Sequence, residues 1–316
     1  MEYFFSVKDS NGYIHSIDDL VITYDIKRIG TKCLDELLEE FHKIKEKYSD
    51  VNYWEKLNVS PCRRYFFFQN IVHLDDGITI FLGHYSDFDK DKHEHYAFPL
   101  IRLKFNPNKH ASKPIFQDVM KVVNEYCCDF RLNLYDYAID IPVAPDDVQV
   151  FGSNKEKGLY KGTRYYGQRN KNGFCRIYDK QKEQDLDTPL TRVEHVFSLT
   201  KATKNISFEK IYIKDNVVPD ADCKKVSKTD AVILELCALA SANGLDYESI
   251  INKLDKRKKW FIKSQISQCE YKLLEFNQEV HDRLLEMVRE YFNVKELITV
   301  DENGILQIDD EDIPFD

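Results

Sequence analysis

The stretch Arg176-Ile177-Tyr178-Asp179-Lys180-Gln181-Lys182-Glu183 sets one tyrosine where an apolar, strand-like run meets a charged segment. A phenol ionises near pH ~10, so at neutral pH it is a poor nucleophile unless its oxyanion is stabilised. Arg176, Lys180 and Lys182 all lie within four residues of Tyr178 and could supply that stabilisation. This is a setting for a tyrosine that attacks a phosphate. Two other runs carry charge where a strand would carry apolar groups. In Asn133–Asp140, Asp136, Ala138 and Asp140 share a face because strand side chains alternate. In Thr191–Val196, Arg192 and Glu194 share one. Carboxylates on one face of an apolar strand are costly unless paired or bound to a cation. Oxygen donors of this kind suit Mg²⁺ or Mn²⁺.

The surrounding elements must bring these runs together. Strands are expected at Tyr3–Val7, Leu20–Ile26, Arg64–Leu74, Ile78–Tyr85, Leu100–Phe105, 131–142, Gly162–Gln168, Gly173–Tyr178 and Leu190–Leu199. Asp75-Asp76-Gly77 and Asn170-Lys171-Asn172 are the turns between neighbours. Helices are expected over 32–48 and 114–127, then over 229–242, 246–254, 256–274 and 276–292. The charged run Asp87–His95 reads as a solvated loop, and His93-Glu94-His95 within it as loop rather than metal motif. Together these give an α+β fold: a mainly antiparallel sheet carrying the site, with flanking helices and a helical C-terminal region. The expected divisions are 1–222, 223–296 and an acidic, flexible tail at 297–316.

Charge is distributed unevenly. The net charge of −9 argues against a uniformly basic nucleic-acid binder, yet 151–228 holds 17 Lys/Arg against 10 Asp/Glu. Seven acids and no base fall in 301–316. The eight cysteines form no C-x-x-C pair, which points away from zinc sites and disulfide frameworks toward reduced thiols in a cytosol. No leader-like or membrane-spanning run is present, so a cytoplasmic protein without membrane contact is expected.

From about 98 to 200 the chain resembles the rolling-circle replication initiators of Gram-positive plasmids, the Rep_trans family. Five short pieces carry the resemblance, in order: Phe105-Asn106-Pro107-Asn108-Lys109, Asp136-x-Ala138-x-Asp140, Tyr165-Tyr166-Gly167-x-Arg169, Arg176-Ile177-Tyr178-Asp179-Lys180-x-x-Glu183 and Arg192-Val193-Glu194. The resemblance implies that Tyr178 is the nucleophile and cleaves one strand of an origin, usually in a hairpin. It would become linked to the 5′ phosphate and leave a 3′ hydroxyl. It implies a divalent metal, Mg²⁺ or Mn²⁺, with Asp136, Asp140 and Glu194 as candidate ligands. Arg176 and Lys180 would assist catalysis, Glu183 would be a metal ligand, a general base or a structural partner of Arg176, and Arg169, Lys182, Tyr166 and Arg192 would contact DNA. A host helicase is the implied partner, and the sequence leaves a homodimer open. The same chemistry serves relaxases of integrative conjugative elements, and a non-catalytic origin binder could keep the fold. The chain departs from the family pattern at Leu134, where a basic residue is usual. It departs again at His195–Leu199, where a second carboxylate and basic residues are usual.

Two segments outside those pieces carry their own signals. Lys256-Arg257-Lys258-Lys259-Trp260 reads either as a phosphate-gripping helix or as a solvated basic face with a buried Trp260. Asp309–Phe315 resembles the acidic tip of bacterial single-stranded-DNA-binding proteins, a route to replisome contacts, or is a solubilising tail.

Overall fold

A computed structural model describes residues 5–27, 31–48, 66–74, 77–89, 94–151, 157–169, 173–199, 209–214, 228–266, 271–293, 298–300 and 306–308. The chain begins β1 (Ser6–Lys8), β2 (Ile14–Ile26), α1 (Thr31–Tyr48), β3 (Phe66–Leu74), β4 (Ile78–Asp89) and β5 (Glu94–Phe105). It continues α2 (Pro107–His110), α3 (Pro114–Tyr126), β6 (Cys127–Ile141), β7 (Val148–Val150), β8 (Lys157–Tyr160) and β9 (Thr163–Tyr166). Next come β10 (Cys175–Asp179), α4 (Lys180–Gln184), β11 (Thr191–Ser198), β12 (Ile211–Lys214), α5 (Lys228–Ala242), α6 (Glu248–Ile251) and α7 (Lys256–Gln265). The chain closes with β13 (Tyr271–Leu273), α8 (Gln278–Phe292), β14 (Ile298–Val300) and β15 (Leu306–Ile308).

The fold is α+β. One antiparallel sheet runs β3-β4-β5-β2-β6-β11-β10-β9-β8, with β1 added against β2. Its core face is covered by α1, α3 and α8. Leu34, Leu37 and Phe41 of α1, Phe116, Val119 and Val123 of α3, and Leu284, Val288 and Phe292 of α8 join the strands in one cluster. Their three-and-four spacing builds the apolar stripe a helix needs to lie on a sheet. Tyr24 Oη donates to the carbonyl of Phe292 at 2.7 Å and ties the end of α8 to β2.

A second cluster lies between α5, α6, α7 and the small sheet β13-β12-β7, built from Tyr212, Leu234, Cys237, Leu239, Ile251, Ile262 and Tyr271. α8, expected within the 223–296 helical region, packs in the first core with the sheet. Corrections to the expected elements follow the same logic. The helix expected over 256–274 stops at Gln265, and Tyr271–Leu273 pairs with β12, because Tyr271 is buried in the second cluster. In the run expected as a loop at Asp87–His95, the described residues are strand, with β4 and β5 paired out to Asp89 and Glu94. The stretch expected as a tail contains the antiparallel pair β14-β15, while 309–316, with its acidic tip, lies outside the described residues. Trp260 is 71% exposed rather than buried. No helix among the described residues is long and apolar enough to cross a membrane.

Candidate active site

Register builds the site. Glu194 of β11 sits opposite Ala138 of β6 and Arg176 of β10; Arg176 in turn sits opposite Tyr165 of β9, and Tyr165 opposite Gly158 of β8. Further along the same strands, Arg192 lies opposite Asp140 and Tyr178. In the other direction, Asp18 of β2 lies opposite Asp136. Directly opposed residues point to the same face. Asp18, Asp136, Asp140, Tyr165, Arg176, Tyr178, Arg192 and Glu194 therefore share the face away from the helices. Most of them floor a cavity of about 1100 Å³, rimmed by Lys161, Lys180, Lys182 and Glu183.

Tyr178 Oη donates to Glu194 Oε1 at 2.7 Å. Burial, and then the charge of Glu194, push the Tyr178 phenol well above its ordinary value. Burial likewise raises the Glu194 carboxyl. Arg176 Nη2 sits 2.5 Å from both Asp136 Oδ2 and Glu194 Oε2 and bridges the two carboxylates. Burial still pushes Asp136 up to about 8, against the opposing charge of Arg176. Arg192 grips Asp140 with two parallel bonds, Nε to Oδ1 at 2.5 Å and Nη2 to Oδ2 at 2.6 Å, and also binds Asp18. A planar guanidinium is built for such bidentate pairing.

Asp18 is a site residue that the sequence pattern does not single out. It sits at a bulge in β2, where register slips after Asp18 and Asp19 takes φ 43°. A bulge re-aims side chains, and the only sequence signal is two adjacent aspartates inside an apolar run. The Asn106-Pro107-Asn108 piece has a structural role. Asn106 caps α2 by accepting from Lys109 N at 3.0 Å, and Pro107 starts it. Asn108, so placed, donates to Asp18 Oδ1 at 3.2 Å and to the carbonyl of Ile17 at 2.9 Å.

Beyond Tyr178 the strand ends because Asp179 caps α4, accepting from Lys182 N at 3.0 Å. That turn swings Lys180 under the tyrosine, with Nζ 5.7 Å from its ring centroid and paired to Glu183. Lys182 projects into solvent, 3.1 Å from Asp179. Two residues expected to contact DNA are buried. Tyr166 is 8% exposed and belongs to the core, because it points opposite to Tyr165. Arg192 is 2% exposed, lies in the floor of the cavity and is engaged by the carboxylates of Asp140 and Asp18. Arg169 does not reach the tyrosine cavity; it lines a smaller one beside it.

The strand continues past Glu194 with alternate residues in the core. His195 and Phe197 face the core, where Phe197 stacks on Tyr135 at 5.0 Å and packs on His281 of α8. Val196, opposite Asp136, faces the site side.

The donors of the expected metal ligands are all oxygens, as Mg²⁺ or Mn²⁺ prefers. Their arrangement does not fit an ion as it stands. Asp136 and Glu194 enclose a guanidinium nitrogen, Asp140 is committed to Arg192, and no three such side chains group as a metal site among the described residues.

No family model and no curated protein matches the chain. Among solved structures it is similar to a rolling circle replication initiator protein from Geobacillus stearothermophilus, at 14% identity over 59% of this chain and 75% of that one. The TM-score is 0.28, a likeness too slight to fix chemistry.

Proposed function

We propose that this chain nicks DNA by strand transfer to Tyr178, initiating rolling-circle replication of a plasmid or mobile element. The observation that carries the reading is the 2.7 Å hydrogen bond from Tyr178 to a buried glutamate at the floor of a cavity rimmed by cations. Burial holds the phenol protonated, so attack requires a base in contact with its proton, and Glu194 Oε1 is that base. Raising the Glu194 carboxyl makes it a stronger acceptor. In the reaction the Tyr178 Oη–P bond forms while the P–O3′ bond breaks. The phenolic proton passes to Glu194, and the 3′ oxygen leaves as a hydroxyl after taking a proton from solvent. Arg176 and Lys180 offset the charge gathering on the phosphate, a preorganised electrostatic role.

Lys182 and Lys161 on the rim, and the exposed face of α7, supply phosphate contacts that position the DNA. A relaxase of a conjugative element would use the same groups. A host helicase, a homodimer and a replisome contact through the acidic tail belong to the same proposal, resting on the resemblance alone.

The test is nicking of supercoiled DNA of the encoding element, with Mg²⁺, Mn²⁺ or chelator, by wild type and Tyr178→Phe. Cleavage abolished in the variant, with a protein–5′-phosphate adduct in the wild type, is the expected result. Cleavage that survives Tyr178→Phe overturns the assignment, and binding without any cleavage favours a non-catalytic origin binder.

A further inference from the structure

Beside the tyrosine cavity lies a second one, of about 490 Å³, with a different character. The first is lined by Asp18, Asp19, Asp136, Asp179, Glu183 and Glu194 among others; the second has no carboxylate in its lining among the described residues. Its walls are Lys157, Arg169 and Arg176 with Tyr160, Tyr165 and Phe174. Tyr165 and Arg176 line both cavities, so the two are neighbours through a shared wall. Tyr165 and Phe174 lie nearly parallel, ring centroids 6.0 Å apart and planes 21° from each other. Lys157 and Arg169 make no ion pair among the described residues. Register explains the space. The row that carries Glu194, Arg176 and Tyr165 ends on β8 at Gly158, which puts no side chain over the tyrosine ring. Cations beside flat aromatic walls suit a ligand with a π face and a negative charge.

We infer that this cavity holds one unpaired nucleotide of a single DNA strand, its base stacked on Tyr165 and its phosphate held by Lys157 and Arg169. The inference rests on the strand-transfer reading for which nucleotide this is: the one flanking the phosphate presented to Tyr178. Stacking explains how a strand is held without reading its sequence, because every base has a π face.

The experiment uses the full chain carrying Tyr178→Phe and fluorescence anisotropy with a labelled dT12 oligonucleotide. A second probe is an abasic strand of the same length. Tyr165→Leu is expected to weaken dT12 binding by about 5- to 150-fold and to leave the abasic strand unchanged. Tyr165→Phe, which keeps the ring, is expected to bind dT12 like the parent. Gly158→Val, on an exposed edge strand where a Cβ meets only Tyr165 Cβ at 3.8 Å, fills the cavity and is expected to reproduce the weakening. Unchanged dT12 binding in both Tyr165→Leu and Gly158→Val overturns the proposal, as does equal weakening for dT12 and the abasic strand. Nicking separates this from the underlying reading. Tyr178-dependent cleavage with intact dT12 binding in the cavity variants sinks the cavity alone. Tyr165-dependent dT12 binding without cleavage by the wild type sinks the strand-transfer reading and leaves a single-strand site.

Discussion

Glu194→Gln separates the catalytic role of the buried network from its structural one. Four carboxyl groups, Asp18, Asp136, Asp140 and Glu194, share two guanidinium groups, Arg176 and Arg192. Removing one negative charge strands neither arginine. Arg176 keeps Asp136 at 2.5 Å, whose carboxyl ionises more readily once the charge of Glu194 is gone, and Arg192 keeps Asp140 and Asp18. The amide oxygen can still accept from Tyr178. Stability should therefore stay within about 1 kcal/mol of wild type or rise, because breaking a buried pair is damaging mainly when it leaves a charge uncompensated. For a domain of this size that is a fall in Tm of no more than ~4 °C. Nicking should drop about 10²- to 10⁴-fold, the range for removing a general base. The pH profile adds a second reading. Catalysis needs the ionised glutamate, so wild-type nicking falls as pH falls, with a midpoint above the usual glutamate value of about 4.3 because burial raises this carboxyl. That acid limb should vanish in the amide variant. Supercoiled-plasmid nicking across pH 4 to 9 and a thermal melt of each protein measure all three. Nicking within about threefold of wild type would remove Glu194 as the base, and a Tm drop above roughly 10 °C would mean its charge holds the fold together.

Arg192→Met should cost about 3–5 kcal/mol by leaving Asp140 and Asp18 buried without their partner, and Asp140→Asn in the same chain should recover much of it; thermal melts check both. The pH dependence of stability reports Asp136. Its folded value of about 8 lies above the ordinary 3.8, so the folded state holds a proton that the unfolded state has released, and stability falls as pH rises through that window. Melts in chelator should show that slope flattened in Asp136→Asn, and a slope unchanged by the substitution would reject the assignment. On α7, Lys256 and Arg257 are exposed and lack ion-pair partners among the described residues. Reversing both to glutamate should lower the salt slope of duplex binding by about two, near 0.9 for each phosphate no longer neutralised, as a titration at several salt concentrations would show.

Much of the sheet is legible from alternation, because a half-buried strand repeats every two residues: β3, β10 and β11 fall where the apolar run predicts them. Three-residue strands such as β7 and β13 escape that reading because they are too short to show a period. The charged ends of β4 and β5 escape it because cross-strand pairing, not composition, makes them strand.

Within each strand, the order of residues alone is enough to say which side chains share a face: Asp136 with Asp140, Arg192 with Glu194, Arg176 with Tyr178. Period-two geometry is local and needs no neighbour. The interruptions at Asn106 and after Asp179 are local too, since capping acts over three residues. Which faces meet is a matter of long-range pairing, and no local pattern encodes it. Register between β6, β11 and β10 put Tyr178 on Glu194 and Arg192 on Asp140, across separations of 16 and 52 residues. The bulge in β2 brought Asp18 beneath them. It was likewise pairing that turned Tyr165 to the cavities and Tyr166 to the core, because a shift of one residue along a strand exchanges its two faces.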